Sequence, residues 1–154
     1  QCRLLLSALG RAAIGAGEIG RLEAHGTGTA LGDPTEAGTL SAVHGSAADR
    51  SGVALVVGAS KASVGHSEAA SGQVGLLRVR GLLEAAAEAA NSQLRVLNPL
   101  VGERLGGASA GFLLPTQEGA ARASRSRRVA GVSSFGFSGT IGVDEVCSTN
   151  LQSI

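Results

Sequence analysis

The stretch His25-Gly26-Thr27-Gly28-Thr29-Ala30-Leu31-Gly32 does most to limit what this chain can fold into. Gly26 and Gly28 among small and hydroxylated neighbours require a tight loop with exposed backbone, since glycine enters left-handed conformations at no steric cost. Residues 19–24 before it have the length of a strand, with Leu22 and Ala24 on one side. Directly after it come Asp33 at an N-cap, Pro34 at the first helical position and Glu36 in the first turn. They start a helix predicted to run to His44 and stop at Gly45. Strand, glycine loop and helix in immediate succession are the unit from which α/β sheets are assembled.

The alternation continues along the chain. Residues 2–13 carry Leu4, Leu5, Ala8, Leu9, Ala12 and Ala13 at helical spacing, until Gly15 and Gly17 end the pattern. Residues 45–52 form a polar loop, and the β-branched run 53–58 is expected to be buried on both faces, as in a parallel sheet. After the loop 59–66, Ser67-Glu68 opens a long helix. Its Val74, Leu76, Leu77, Val79, Leu82 and Leu83 form a broad apolar stripe, and Arg80 and Glu84 make an i,i+4 pair. Gly72 and Gly75 lower helix propensity there and point to close backbone packing. Residues 111–115 and 129–134 read as short strands, separated by a basic stretch with Arg122, Arg125, Arg127 and Arg128, and the last strand is expected at 140–146. No internal repeat of fixed period is present, and the expected fold class is α/β.

Composition closes several other routes. With 154 residues the chain is one domain or a piece of one, and 44% hydrophobic residues exclude disorder as a whole. A net charge of +1 gathers neither nucleic acid nor an anionic membrane. The arginines at 122–128 lack interleaved aromatics and read as a solvated linker rather than a nucleic-acid patch. No apolar run approaches the roughly 18 residues of a membrane span. Cys2 and Cys147, far apart and without CxxC spacing, make neither a disulfide framework nor a zinc site, so a soluble protein of a reducing compartment is expected, the cytoplasm or an organelle interior. A chain that starts Gln1-Cys2 and contains no methionine is expected to be a processed product or a fragment, with a targeting segment among the things removed upstream.

Two histidines close strand-to-loop units, His25 and His66, and in a parallel sheet loops from different strands point into one crevice. Two imidazole N–H groups aimed at one oxygen would stabilise an enolate or a tetrahedral oxyanion. Lys61 and Glu68 lie close to His66 in sequence and are candidates to tune an imidazole, although a solvated lysine and glutamate would look the same. His44, at a helix end outside any glycine loop, reads as structural. Gly26, Gly28 and Gly32 do not have the dinucleotide-binding spacing, Gly58-Ala59-Ser60-Lys61 is not a phosphate loop, and there is no GxSxG elbow and no third ligand for a metal.

These residues carry a resemblance. Leu22-Glu23-Ala24-His25-Gly26-Thr27-Gly28-Thr29-Ala30-Leu31-Gly32-Asp33-Pro34-Thr35-Glu36 resembles the first histidine motif of β-ketoacyl synthase domains of modular, type I polyketide synthases. Lys61-Ala62-Ser63-Val64-Gly65-His66-Ser67-Glu68-Ala69-Ala70-Ser71-Gly72 resembles the lysine and second-histidine motif. Leu97-Asn98-Pro99 resembles a short linker motif, and 130–140, with Phe135-Gly136-Phe137, the terminal glycine-rich signature. The resemblance implies the second half of a thiolase-like layered fold, a mixed, mainly parallel sheet with helices on its faces. It implies a site in which His25 and His66 assist decarboxylation of a malonyl thioester and the Claisen condensation that follows. By the same resemblance Lys61 supports the second histidine, Thr27, Thr29, Asp33, Glu36 and Glu68 support the site, and Phe135, Gly136 and Phe137 line the acyl pocket. No cofactor or metal is implied; the substrates would be phosphopantetheine thioesters of an acyl carrier protein.

The departures set the alternatives. The family's nucleophilic cysteine belongs to a first half that is not in this sequence, and Cys147-Ser148 has no helix behind it to lower a thiol pKa. Ile141-Gly142-Val143 stands where the family carries polar residues, and Ala62-Ser63 where it has Thr-Asn. The expectation is a single partial domain acting as an acyltransferase only when a cysteine-bearing half is supplied. A non-catalytic subunit of a larger assembly and an acyl- or lipid-binding chain without turnover are the other readings. Expected partners are the missing half or other subunits and an acyl carrier protein, with no nucleic acid and no transmembrane segment.

Overall fold

Strand β1 (Ile19–Glu23) lies at the centre of a five-stranded sheet in the order β4-β2-β1-β6-β7. In this computed structural model the described residues are 1–45, 53–106, 111–120, 128–136 and 141–148. β2 (Leu55–Gly58), β4 (Phe112–Leu113) and β6 (Arg128–Phe135) run parallel to β1, and β7 (Ile141–Ser148) pairs antiparallel with β6. The sheet is therefore mixed and mainly parallel. β1 pairs on both sides, Arg21 opposite Val56 and Ala130, with a register shift at Gly20.

Helices cover both faces. On one, Leu5 and Leu9 of α1 (Cys2–Ala12) and Leu40 of α2 (Gly32–His44) pack with Ile19, Leu22, Leu55, Val57 and Val129. On the other, Val79 of α4 (Ser71–Ala85) packs with Ala130 and Val132, with Leu83 alongside. Between β2 and α4 comes the short α3 (Lys61–Val64); after α4 come β3 (Ala87–Glu88), α5 (Pro99–Arg104) and β5 (Gly119–Ala120), with β3 and β5 forming a separate antiparallel pair.

Four sequence expectations need correction. Asp33 is not the N-cap of α2 but lies in its first turn, where it accepts the Gly28 N–H at 3.1 Å; Leu31 holds the cap position, and Thr29 Oγ1 accepts the N–H of Gly32, the first helical residue, at 3.1 Å. The long helix starts at Ser71 rather than Ser67, after a separate 3₁₀ turn at Glu68–Ala70, and part of the expected loop 59–66 is α3. The expected apolar stripe of α4 is only in part its buried face: Val79 is fully buried with Leu83 beside it, but Leu76 is 38% and Leu77 68% exposed, and the contact line runs through Ser71, Gly75 and Val79. Gly72 and Gly75 are the reason, since a Cβ at Gly75 would sit 3.1 Å from Val132 Cγ1 and one at Gly72 3.3 Å from Ser134. The helix comes so near the sheet at these glycines that Leu76 and Leu77 face away from it. Finally, Leu97-Asn98-Pro99 is a helix start, with Asn98 accepting the Leu100 N–H at 3.0 Å and Pro99 at the first position of α5.

The arginines at 122–127 and Phe137 lie outside the described residues. His44 is buried, with Nδ1 3.2 Å from the Ala16 carbonyl, in keeping with a structural role.

Gly75→Ala is expected to destabilise the chain in urea unfolding, because overpacking of about 1–3 kcal/mol exceeds the gain in helix propensity of about 1 kcal/mol. Gly81→Ala in the same helix, where a Cβ would meet nothing within 4 Å, is expected to stabilise it by about 0.5–1 kcal/mol.

Candidate active site

The carboxyl ends of β1, β2 and β6 lie side by side because the strands are parallel neighbours, with Glu23 opposite both Gly58 and Val132. His25 leaves β1 two residues beyond that level, Lys61 follows β2 by three, and Phe135 closes β6 three residues further on. Parallel pairing thus gathers at one edge residues that are far apart in sequence.

His25 is fixed first through its backbone. Both oxygens of Glu36 on α2 accept N–H groups, from His25 at 2.8 Å and from Gly26 at 3.0 Å. Burial pushes the Glu36 carboxyl up from its ordinary range, and those two N–H bonds oppose the shift. Gly26 has φ +50° and abuts Ala59, where a Cβ would come within 2.7 Å, so the loops after β1 and β2 are pressed together.

The His25 ring is fixed at Nδ1. Lys61 Nζ lies 3.2 Å from it and also donates to the His25 carbonyl at 2.6 Å, while the Phe135 N–H donates to the same Nδ1 at 3.3 Å. A nitrogen that accepts from these donors carries no proton, so neutral His25 is the Nε2–H tautomer. Burial, then the Lys61 ammonium and then His66, lower its pKa from 6.5 to about 4. Burial also lowers the pKa of Lys61, with Glu36 and Glu23 opposing.

His66 is held in the same sense by different atoms. Its Nδ1 accepts the Glu68 N–H at 2.8 Å and lies 3.2 Å from Ser71 Oγ, which leaves Nε2 as the N–H. Glu68, with φ +45°, meets His66 through its backbone N–H. The two rings lie 5.7 Å apart at 89°, and the Phe135 ring is 5.3 Å from His25. Lys61, expected beside the second histidine, in fact touches the first.

Thr27 and Thr29 are partners across the glycine loop, with hydroxyls 3.3 Å apart, and with Asp33 they shape its far side. Gly136 is exposed beyond Phe135. Cys2 is exposed on α1, and Cys147 pairs with Val129, six residues from the Phe135 end of β6, about 20 Å at strand rise. Among the described residues no group of three His, Cys, Asp or Glu is placed to hold a metal ion, and no helix is long and apolar enough to cross a membrane.

Sequence reasoning missed three polar residues beneath the site. Glu23, on the α4 side of β1, accepts the Ser60 N–H and lies 3.3 Å from Arg78 Nη1. Asn91 accepts the Ala59 N–H at 2.9 Å and donates to the Val57 carbonyl at 3.0 Å. The signal for Glu23 was a charge inside a strand-length segment; Asn91 had none.

The family described as beta-ketoacyl synthase, C-terminal domain, matches residues 1–94. The chain is 37% identical over 140 residues to mycoketide-CoA synthase of Mycobacterium tuberculosis, covering 91% of this chain and 3% of that protein. It is 39% identical over 140 residues to erythronolide synthase EryA2 of Saccharopolyspora erythraea, covering 91% of this chain and 4% of that protein. Among solved structures it resembles an oxazolomycin ketosynthase domain of Streptomyces albus, with TM-score 0.84 and 29% identity over 99% of this chain and 26% of that one. The ketosynthase from module 6 of the bacillaene synthase of Bacillus subtilis 168 gives TM-score 0.84 and 25% identity, covering 97% and 27%. The chain belongs to the β-ketoacyl synthase family, as a C-terminal ketosynthase half of the modular polyketide synthase type with a thiolase-like fold. It spans less than a tenth of those two synthases and about a quarter of the ketosynthase chains.

A histidine kept neutral by the fold stabilises it fully above the unfolded value of 6.5, and that contribution disappears as the pH falls towards 4. Urea unfolding at pH 7 and 4.5 should therefore show a larger loss of stability on acidification in the parent chain than in His25→Ala.

Proposed function

We propose that this chain supplies the two-histidine half of a ketosynthase site for decarboxylative Claisen condensation. The observation that carries this reading is the shared tautomer: His25 and His66 each have Nδ1 occupied as an acceptor, which leaves two Nε2–H donors on rings 5.7 Å apart. Two such donors on one thioester carbonyl oxygen favour the enolate formed when a malonyl group loses carbon dioxide. The enolate carbon then attacks a second thioester carbonyl, the new carbon–carbon bond forms, and the thiolate departs. A neutral imidazole donates to the oxygen without giving up its proton, and the lowered pKa of His25 supports that role.

The nucleophile that carries the second acyl group belongs, in this reading, to a cysteine-bearing half outside these 154 residues. Support comes from apolar side chains left in water beside the site loops, Leu31 at 79% and Val64 at 63% exposure, next to the threonine loop and on α3. The substrates would be malonyl and acyl thioesters of phosphopantetheine, with an acyl carrier protein as their bearer. Phe135 and Gly136 would line the acyl side.

The test pairs this chain with a cysteine-bearing N-terminal ketosynthase half and follows carbon dioxide release from a malonyl thioester. His25→Ala and His66→Ala are each expected to lower the rate by about 10²–10³, the loss typical of one oxyanion donor. Equal rates in parent and variants would overturn the reading and leave the chain a packing role in a larger assembly.

A further inference from the structure

We propose that Glu23 is a positioning residue: its buried carboxylate holds the Ser60 amide and thereby places Lys61 against His25. The catalytic meaning of that contact rests on the function proposed above; the contact itself does not.

Only two residues, Ala59 and Ser60, separate the end of β2 from Lys61 at the start of α3. Both of their N–H groups donate into the protein, Ala59 to Asn91 Oδ1 at 2.9 Å and Ser60 to Glu23 Oε1. Those acceptors are fixed in turn. Asn91 donates to the carbonyls of Val57 at 3.0 Å and Pro115 at 3.4 Å, and Glu23, 1% exposed, sits 3.3 and 3.4 Å from Arg78 Nη1, whose Nη2 donates to the Ala90 carbonyl. The sheet interior therefore sets where α3 begins, and the Lys61 side chain reaches the His25 carbonyl and Nδ1 from there.

A buried carboxylate is unfavourable unless its charge is met and its oxygens are bonded. Arg78 meets the charge of Glu23, which leaves Lys61 to His25. Gly58 keeps the space open, for a Cβ there would stand 3.3 Å from Glu23 Oε2.

His25 itself reports the contact. The groups facing it are Lys61 from α3, His66 from the loop after it, Glu36 of α2 behind its amide and Phe135 at the end of β6. The experiment follows the imidazole nitrogen signals of His25 by NMR across a pH titration of the intact chain. Lys61→Met removes a positive neighbour and is expected to raise the midpoint above about 4. Glu23→Leu should raise it by the same amount, although deleting a carboxylate would by itself move a neighbouring imidazole the opposite way. Glu23→Gln, which retains a carbonyl to accept the Ser60 N–H, should stay near the parent value. Adding Glu23→Leu to Lys61→Met should raise the midpoint no further.

An unmoved or lowered midpoint in Glu23→Leu, or a further rise in the double variant, would overturn the proposal. If Glu23→Leu does not fold, Ser60→Pro takes its place, deleting the donated N–H at φ −59°, within the range of proline. There a rise supports the clamp and an unmoved midpoint overturns it. A chain that passes this test yet shows no histidine-dependent decarboxylation would overturn the functional reading and leave the clamp standing.

Discussion

Glu36 binds two successive backbone amides with its two carboxylate oxygens, and the path of the chain beyond the central strand follows from that bond pair. Without it, the buried His25 donor would stand unsatisfied, at about 1–3 kcal/mol, and the half-buried Gly26 donor would lose its partner. With it, α2 is joined to the end of β1, while Ala37 and Leu40 on the same helix settle into the core. The left-handed turn at Gly26, the Gly32 bond to Thr29 and the Gly28 bond to Asp33 all belong to the loop this carboxylate anchors. His25 inherits its position from a helix residue eleven places later, and only then do its ring contacts become possible.

The two faces of the sheet are built on different principles. Under α1 and α2 the contacts are aliphatic and supply the hydrophobic driving force. Under α4, β1 presents Arg21 and Glu23, met by Glu88 and Arg78. Little water reaches Arg21, which is 4% exposed, and this burial lowers its pKa to about 10. Buried ion pairs of this kind add little net stability, since desolvation offsets their attraction. What they contribute is direction, because charged groups have few satisfactory arrangements where aliphatic ones have many.

The strand at 55–58 was legible because buried parallel strands are written as short apolar runs, although the exposed Val53 of the expected run 53–58 lies outside it; 19–24 was legible from its length and the glycine loop that follows, and His25 and His66 stood out because glycine loops flank them. Leu76 and Leu77 of α4 misled because periodicity records which residues are apolar and not how near a helix approaches; Gly72 and Gly75 held that information. Sequence proximity assigned Lys61 to His66, whereas the order of strands gives it to His25. Asp33 misled as a cap because its carboxylate turns back to the Gly28 amide of the loop rather than to its own helix. The two-residue strands β3 and β5 leave no periodic trace at all.

The bond between the Phe135 amide and His25 joins residues 110 positions apart. Contacts of such separation are entropically slow to form, and β1 cannot acquire its β6 neighbour until most of this segment exists. During synthesis, at about 5–20 residues per second, His25 waits roughly 5–20 seconds for the donor that completes its ring environment. Over that interval β1 has an open edge towards the missing strand, the surface most prone to wrong pairing. The nascent chain is therefore most vulnerable to aggregation between the appearance of its first histidine and that of its sixth strand, an interval in which a chaperone has something specific to shield.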